Sequence, residues 1–158
     1  MKKALTALAA LGVLVAMAAP AGAATAVKYK GKTNTGLPVY FKLKDKRLYD
    51  MKSGIRVTCL SIQGGGAPVS GADTFSYKGY VPLSSRAQDF TFMKRPAFYY
   101  NEVTTKHTLT SKLNRRTKAI TGTQRIQYSY LVPKYTPGTF SIYSCLGAGK
   151  FTAKPLKR

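Results

Sequence analysis

Tryptophan is absent from this 158-residue chain, histidine occurs once and cysteine twice. Five acidic residues (Asp45, Asp50, Asp73, Asp89 and Glu102) stand against 26 lysines and arginines. Each scarcity narrows the chemistry. Two distant cysteines and one histidine are too few protein ligands for a structural zinc, so neither a metal nor a cofactor is expected. Glycosidases need two carboxylates placed across the substrate. Here Asp45 sits between Lys44 and Lys46, and Asp50 lies near Lys52, which reads as local charge balance. His107, in a threonine-rich run, is the one imidazole that a Ser-His-Asp set with Asp73 or Asp89 could use, and no Gly-x-Ser-x-Gly elbow accompanies it. The chain reads as non-enzymatic, with an enzyme using His107 as the weaker alternative.

Negative charge is also missing from the N-terminus. Lys2 and Lys3 precede an uncharged Ala/Leu/Val-rich stretch from Ala4 to Ala19, and Ala21-Gly22-Ala23 follows as a small-x-small site. This is the pattern of a secretory signal peptide spanning residues 1–23, cleaved after Ala23 or alternatively after Ala26. Pro20 and Gly22 weaken the competing reading, an uncleaved membrane helix. Processing leaves one domain of ordinary size over residues 27–154, a basic tail at 155–158 and no stable membrane span. With Lys2 and Lys3 removed, 24 basic and five acidic side chains remain, a formal charge of +19. An exported chain folds in an oxidising compartment, where Cys59 and Cys145 can form one intramolecular disulfide. Closing that 86-residue loop contributes about 4–5 kcal/mol in the chain-entropy account.

Beyond the leader no window carries apolar residues at helical spacing. Alternation of period two recurs instead. Val27, Tyr29 and Gly31 alternate with Lys28, Lys30 and Lys32; after Thr33-Asn34-Thr35-Gly36, the residues Leu37, Val39, Phe41 and Leu43 alternate with Tyr40, Lys42 and Lys44. This predicts a hairpin with an apolar inner and a lysine-studded outer face. Lys44-Asp45-Lys46 is the next turn, Ser53-Gly54 is the expected bulge before Ile55–Ile62, and Gln63–Ala72 reads as a flexible glycine-rich loop. Further strand-like runs are Thr74–Leu83, Asp89–Met93, Phe98–Val103 and Thr104–Leu113. In the longest run Ile120, Gly122, Gln124, Ile126, Tyr128 and Tyr130 share one face. Thr139–Lys154 reads as a hairpin closed by Gly147-Ala148-Gly149. There Cys145 falls opposite the apolar Phe140 and Ile142, so the disulfide is expected outside the core, at a sheet end. Strand-like runs at this spacing predict an all-β, single antiparallel domain of about eight to ten strands. An up-and-down barrel is preferred over a sandwich because closure removes exposed sheet edges.

Tyr29-Lys30-Gly31-Lys32-Thr33 with Gly36, then Val39-Tyr40-Phe41, Ile120-Thr121-Gly122-Thr123, and Cys145 followed by Gly149-Lys150-Phe151-Thr152-Ala153 give the chain a further likeness. It resembles a loose group of small, basic, secreted bacterial β-proteins. The resemblance implies an exported β-domain with a Cys–Cys link. The group has no assigned activity, so no functional residue transfers. This chain departs from it in placing lysine- and tyrosine-rich turns where small polar ones are usual.

The positive charge is the strongest functional signal. Lys28, Lys30, Lys32, Lys42 and Lys44 are placed on one outer face of the first hairpin, where like charges on neighbouring strands repel. A polyanion relieves that repulsion and releases counterions on binding. Outside the cell, candidates are wall teichoic acid, acidic polysaccharide and anionic lipid surfaces, with nucleic acid as a nonspecific polyanion only. The competing use of the charge is solubility. Tyrosines at 40, 99, 100, 128, 130, 135 and 143 are available for stacking on sugars or bases. The alternative function is a barrel carrying a small apolar ligand, with Val39, Phe41, Phe92, Ile126 and Tyr128 lining its interior.

Overall fold

A computed structural model describes residues 25–63, 66–95, 103–134 and 138–157. The leader at 1–23, most of the Phe98–Val103 run, and Tyr99, Tyr100 and Tyr135 therefore lie outside the described residues. The chain forms eight strands: β1 (Val27–Thr33), β2 (Pro38–Lys44), β3 (Arg47–Ser61), β4 (Val69–Pro82), β5 (Gln88–Lys94), β6 (Val103–Leu113), β7 (Ile120–Pro133) and β8 (Phe140–Pro155). All pairings are antiparallel in one sheet, ordered β4-β3-β2-β1-β8-β7-β6-β5.

The first hairpin has the alternation its sequence dictates. Tyr29, Val39 and Phe41 are buried, while Lys28, Lys30, Lys32 and Tyr40 are exposed. Asp45 and Lys46 form the next turn, both with positive φ (49° and 57°), the conformation that matches a two-residue hairpin to the twist of its strands.

The long strands β3 and β8 organise the rest. The N-terminal half of β3 pairs with β2, whereas Val57–Ser61 pairs with Gly147–Tyr143 of β8. The C-terminal half of β8 pairs with β1. The β1–β2 hairpin thus wedges into a fork between β3 and β8. Its tip is fastened on both sides. Asn34 N–H donates to Lys150 O at 2.9 Å and Lys150 N–H donates to Asn34 Oδ1 at 3.0 Å. Leu37 closes over Gly54, where an added Cβ would stand 2.6 Å from Leu37 Cβ.

This fork explains why the sheet is not an evenly closed barrel, as the sequence reading preferred. Across the hairpin the row Phe75–Ser53–Val39–Gly31–Ala153–Ile120–Leu113 crosses seven strands. At the other end the row Val69–Cys59–Cys145–Tyr128–Thr105–Phe92 crosses only six. A barrel needs one strand count and one shear along its length. Here the sheet rolls until β4 and β5 face each other through side chains, with no backbone ladder between them among the described residues. Phe75 meets Phe92 at 5.8 Å between ring centroids, and Tyr77 meets Phe90 at 4.6 Å.

Three local expectations are corrected by the same pairing. Gly147-Ala148-Gly149 is no turn: β8 runs straight through it for 16 residues. Gly147 is there for close approach, since a Cβ would lie 2.6 Å from Arg56 O and 2.8 Å from Val57 Cγ1. β4 begins at Val69, so the second half of the expected Gln63–Ala72 loop is ladder opposite Ala72↔Arg56 to Val69↔Cys59. The irregularity of β3 falls at Tyr49/Met51 in its ladder with β4, with Asp50 at φ 49°, ahead of Ser53-Gly54.

Cys59 and Cys145 are bonded, and they are directly opposed partners in the β3–β8 ladder with Cα atoms 4.0 Å apart. Both are fully buried, so the disulfide lies inside the core, not outside it. The inward phase of β8 is Cys145, Gly147, Phe151 and Ala153, and Phe140 is 45% exposed on the other face. The bulky apolar residues at the start of β8 misstate which side is inner.

Candidate functional site

Two features concentrate charge: an exposed lysine face and a buried seam. The face is built by strand register. Lys154 of β8 lies opposite Lys30 of β1, which lies opposite Tyr40 of β2, then Lys52 of β3, then Ser76 of β4. One step along, Lys28 lies opposite Lys42. On the other side of the row Lys32 is flanked by Thr152 and Pro38. The five lysines predicted from the sequence are thus divided. Lys28, Lys30, Lys32 and Lys42 come together, while Lys44 pairs with Arg47 at the β2–β3 turn.

The irregularity in β3 turns Asp50 onto this face, where its carboxylate accepts from Lys42 Nζ at 2.6 Å. Both side chains are nearly half exposed, so solvent screens the pair and it adds little stability. Among the described residues it is the sole carboxylate paired to a lysine of this face. Tyr40 stands at the centre, with Lys30 Nζ 5.7 Å from its ring centroid. A furrow of about 640 Å³ runs beside it between Lys28, Lys42, Lys52 and Lys78. A second, of about 480 Å³, shares Tyr40, Lys52 and Ser76 as walls and continues to Lys94 and Arg95 at the end of β5.

Lys52, Lys78 and Lys154 escaped the sequence reading because they lie on other strands. The first two follow from extending the outward phase through β3 and β4; Lys154 joins through the non-consecutive β1–β8 pairing. Of the other tyrosines proposed for stacking, Tyr128 and Tyr130 are buried, and Tyr143 is half-buried, stacked on Tyr130 at 5.5 Å.

The seam is the second feature. Asp73 of β4 and Lys94 of β5 form an ion pair, their side chains 2% and 5% exposed. Tyr128 Oη donates to Asp73 Oδ2 at 2.6 Å, and Lys94 Nζ also donates to Thr74 O at 3.0 Å. Burial lowers the Lys94 ammonium from its usual range, which the Asp73 carboxylate offsets in part. Burial, then the bond to Asp73, raises the Tyr128 phenol.

His107 is fully buried beside this pair, its ring 4.2 Å from Phe75 and 4.7 Å from Phe90. Neither ring nitrogen has a hydrogen-bond partner. Burial, and secondarily the Lys94 charge, push its pKa down to about 3. An imidazole so placed stays neutral near pH 7, and no described hydroxyl hydrogen-bonds to it. Of its two expected carboxylate partners, Asp73 is taken by Lys94 and Tyr128. Asp89 is on the surface with Thr108 at 2.7 Å and Lys106 at 3.1 Å, whose hydrogen bonds hold its carboxyl low.

The interior residues named for an apolar ligand are packed instead. Val39, Phe41, Ile126 and Tyr128 are buried in one cluster, with Phe92 against it. No group of three or more potential metal ligands, and no helix long and apolar enough to cross a membrane, occurs among the described residues. No protein-family model, curated protein or solved structure matches the chain.

Proposed function

We propose that this protein is an exported, non-enzymatic β-domain that binds an extracellular acidic polymer through the lysine face of β8, β1, β2, β3 and β4. The observation that carries this reading is the unbroken row Lys154–Lys30–Tyr40–Lys52, flanked by Lys28–Lys42. Adjacent strands lie about 4.8 Å apart, so the directly opposed pairs Lys154–Lys30 and Lys28–Lys42 stand on backbones closer than a Debye length of roughly 8 Å at physiological salt. Their mutual repulsion is a standing cost that a repeating anion removes. Tyr40 offers an aromatic surface at the centre of the row, suited to a sugar ring between phosphates or carboxylates. The furrow beside it gives a single polymer strand a track. Teichoic acid, acidic polysaccharide, anionic lipid headgroups and nucleic acid share the chemistry of closely spaced anions. A disulfide between two buried cysteines suits a non-reducing compartment, which supports export together with the leader-like N-terminus.

The test is retention on a bacterial wall preparation and on an anionic resin across a salt series. The reading expects the logarithm of affinity to fall linearly with the logarithm of salt, with a slope set by the number of lysines engaged. Retention indifferent to salt would discard it. The packed interior weighs against the apolar-carrier reading.

A further inference from the structure

Among the described residues, every junction in the rolled sheet is closed by a backbone ladder except the one between β4 and β5. At that seam stands the one buried ion pair among the described residues, Lys94 with Asp73. Taking both charges out of water costs much of what their attraction returns. The carboxylate is held at each oxygen. Thr74 N–H donates to Oδ1 at 2.8 Å, and Tyr128 Oη donates at 2.6 Å to Oδ2, the atom that Lys94 Nζ also meets. The Tyr128 ring centroid lies 5.0 Å from Lys94 Nζ, and Phe75, which follows Asp73 by two residues on β4, packs with Phe92 and the unpartnered ring of His107 as an aromatic cluster. A primary amine is thereby held against a carboxyl group with both side chains almost wholly buried, the arrangement in which proximity and exclusion of water favour condensation.

We infer that Lys94 and Asp73 condense into an intramolecular amide, an isopeptide bond that closes the β4–β5 seam covalently. Lys94 Nζ attacks Asp73 Cγ; the N–C bond forms and the Cγ–Oδ2 bond breaks. Of the three ammonium protons, one stays on the amide nitrogen and two leave with Oδ2 as water. Nothing is oxidised or reduced, and the two opposite charges are lost together. Thr74 N–H remains on Oδ1, stabilising the charge that develops there during attack. Tyr128 Oη touches the departing oxygen and is placed to pass it a proton. Burial favours the uncharged, nucleophilic amine of Lys94 and keeps Tyr128 a donor. With Cys59–Cys145 joining β3 to β8, the amide gives the sheet a second covalent tie, at the seam its ladder leaves open. This inference stands independently of the lysine face.

Peptide mapping by mass spectrometry of the purified, reduced protein tests it. The expected result is a branched peptide joining the Asp73 and Lys94 segments, lighter than their sum by one water, and an intact mass short by the same amount. Asp73→Ala and Lys94→Ala each restore the full mass, and Tyr128→Phe slows closure in freshly refolded protein. Recovery of the two segments as separate peptides from folded wild-type protein would overturn the inference. So would a deficit that persists in Asp73→Ala, since the link would then lie elsewhere.

Discussion

Lys30 of β1 stands directly opposite Lys154 of β8 across an antiparallel ladder, and no acidic residue separates them. Like charges so placed oppose pairing by a few tenths of a kcal/mol up to about 1 kcal/mol. Lys154→Glu is therefore expected to raise stability by about 0.5 kcal/mol at low ionic strength, with the gain fading as salt screens the pair. Urea midpoints at low and high salt check this. The same substitution should weaken retention on polyanions, so stability and binding move in opposite directions.

The disulfide joins opposed residues in the β3–β8 ladder and spans 86 residues of sequence. It also holds the narrow end of the fork shut. Replacing Cys59 and Cys145 by alanine is expected to cost about 2–5 kcal/mol, read from equilibrium unfolding in urea. A cost near zero would mean that the β3–β8 ladder needs no clasp.

Gly147 and Gly149 look alike in sequence and should behave differently. At Gly147 a Cβ would meet backbone, Arg56 O at 2.6 Å; at Gly149 the nearest atom is the Asn34 side-chain oxygen at 3.2 Å, which can shift. Gly147→Ala is expected to destabilise by about 1–3 kcal/mol, and Gly149→Ala by well under half of that. Thermal unfolding of the two variants decides it.

Those glycines also show where the sequence was legible. Period-two alternation placed β1, β2, β5 and the inner face of β7 correctly because each has a clean inner and outer side. It failed in β8, where two glycines two residues apart suggest a turn but serve close packing against β3. Local sequence does not announce that demand, because the residue opposite Gly147 is Val57, far earlier in the chain. It failed too at the seam, although a signal existed. Lys94 continues the inward phase of Phe90 and Phe92, and Asp73 occupies the inward phase of Phe75 and Tyr77. Opposite charges, each in an inward slot of a separate strand, are a readable sign of a buried pair. Of the lysine face, the hairpin's share was legible, while Lys154 joined it only through a non-consecutive pairing.

His107 gives the acid response a defined sign. Its pKa is lowered from 6.5 to about 3 in the fold, so between these values the unfolded chain binds a proton that the folded chain refuses. Stability is then full above pH 6.5 and falls as pH drops through that window, by up to roughly 1.4 kcal/mol per pH unit. Lys94 is the nearby cation that also lowers His107. His107→Phe is expected to flatten the slope between pH 6.5 and 4, measured by urea unfolding at a series of pH values.

The proposed binding resides in a particular face and not in net charge. Retention on a wall preparation, measured across a salt series, tests it with two variants of equal charge loss. One replaces Lys30, Lys52 and Lys154 by glutamine; the other replaces Arg115, Arg116 and Lys118 on the exposed β6–β7 turn. Lys154 belongs with the first set because it pairs with Lys30, although the sequence alone would have made it a distant control. The first variant is expected to lose affinity by an order of magnitude or more and to flatten the salt dependence by about one unit of slope per lysine, while the second stays close to wild type. Equal losses in the two variants would contradict it.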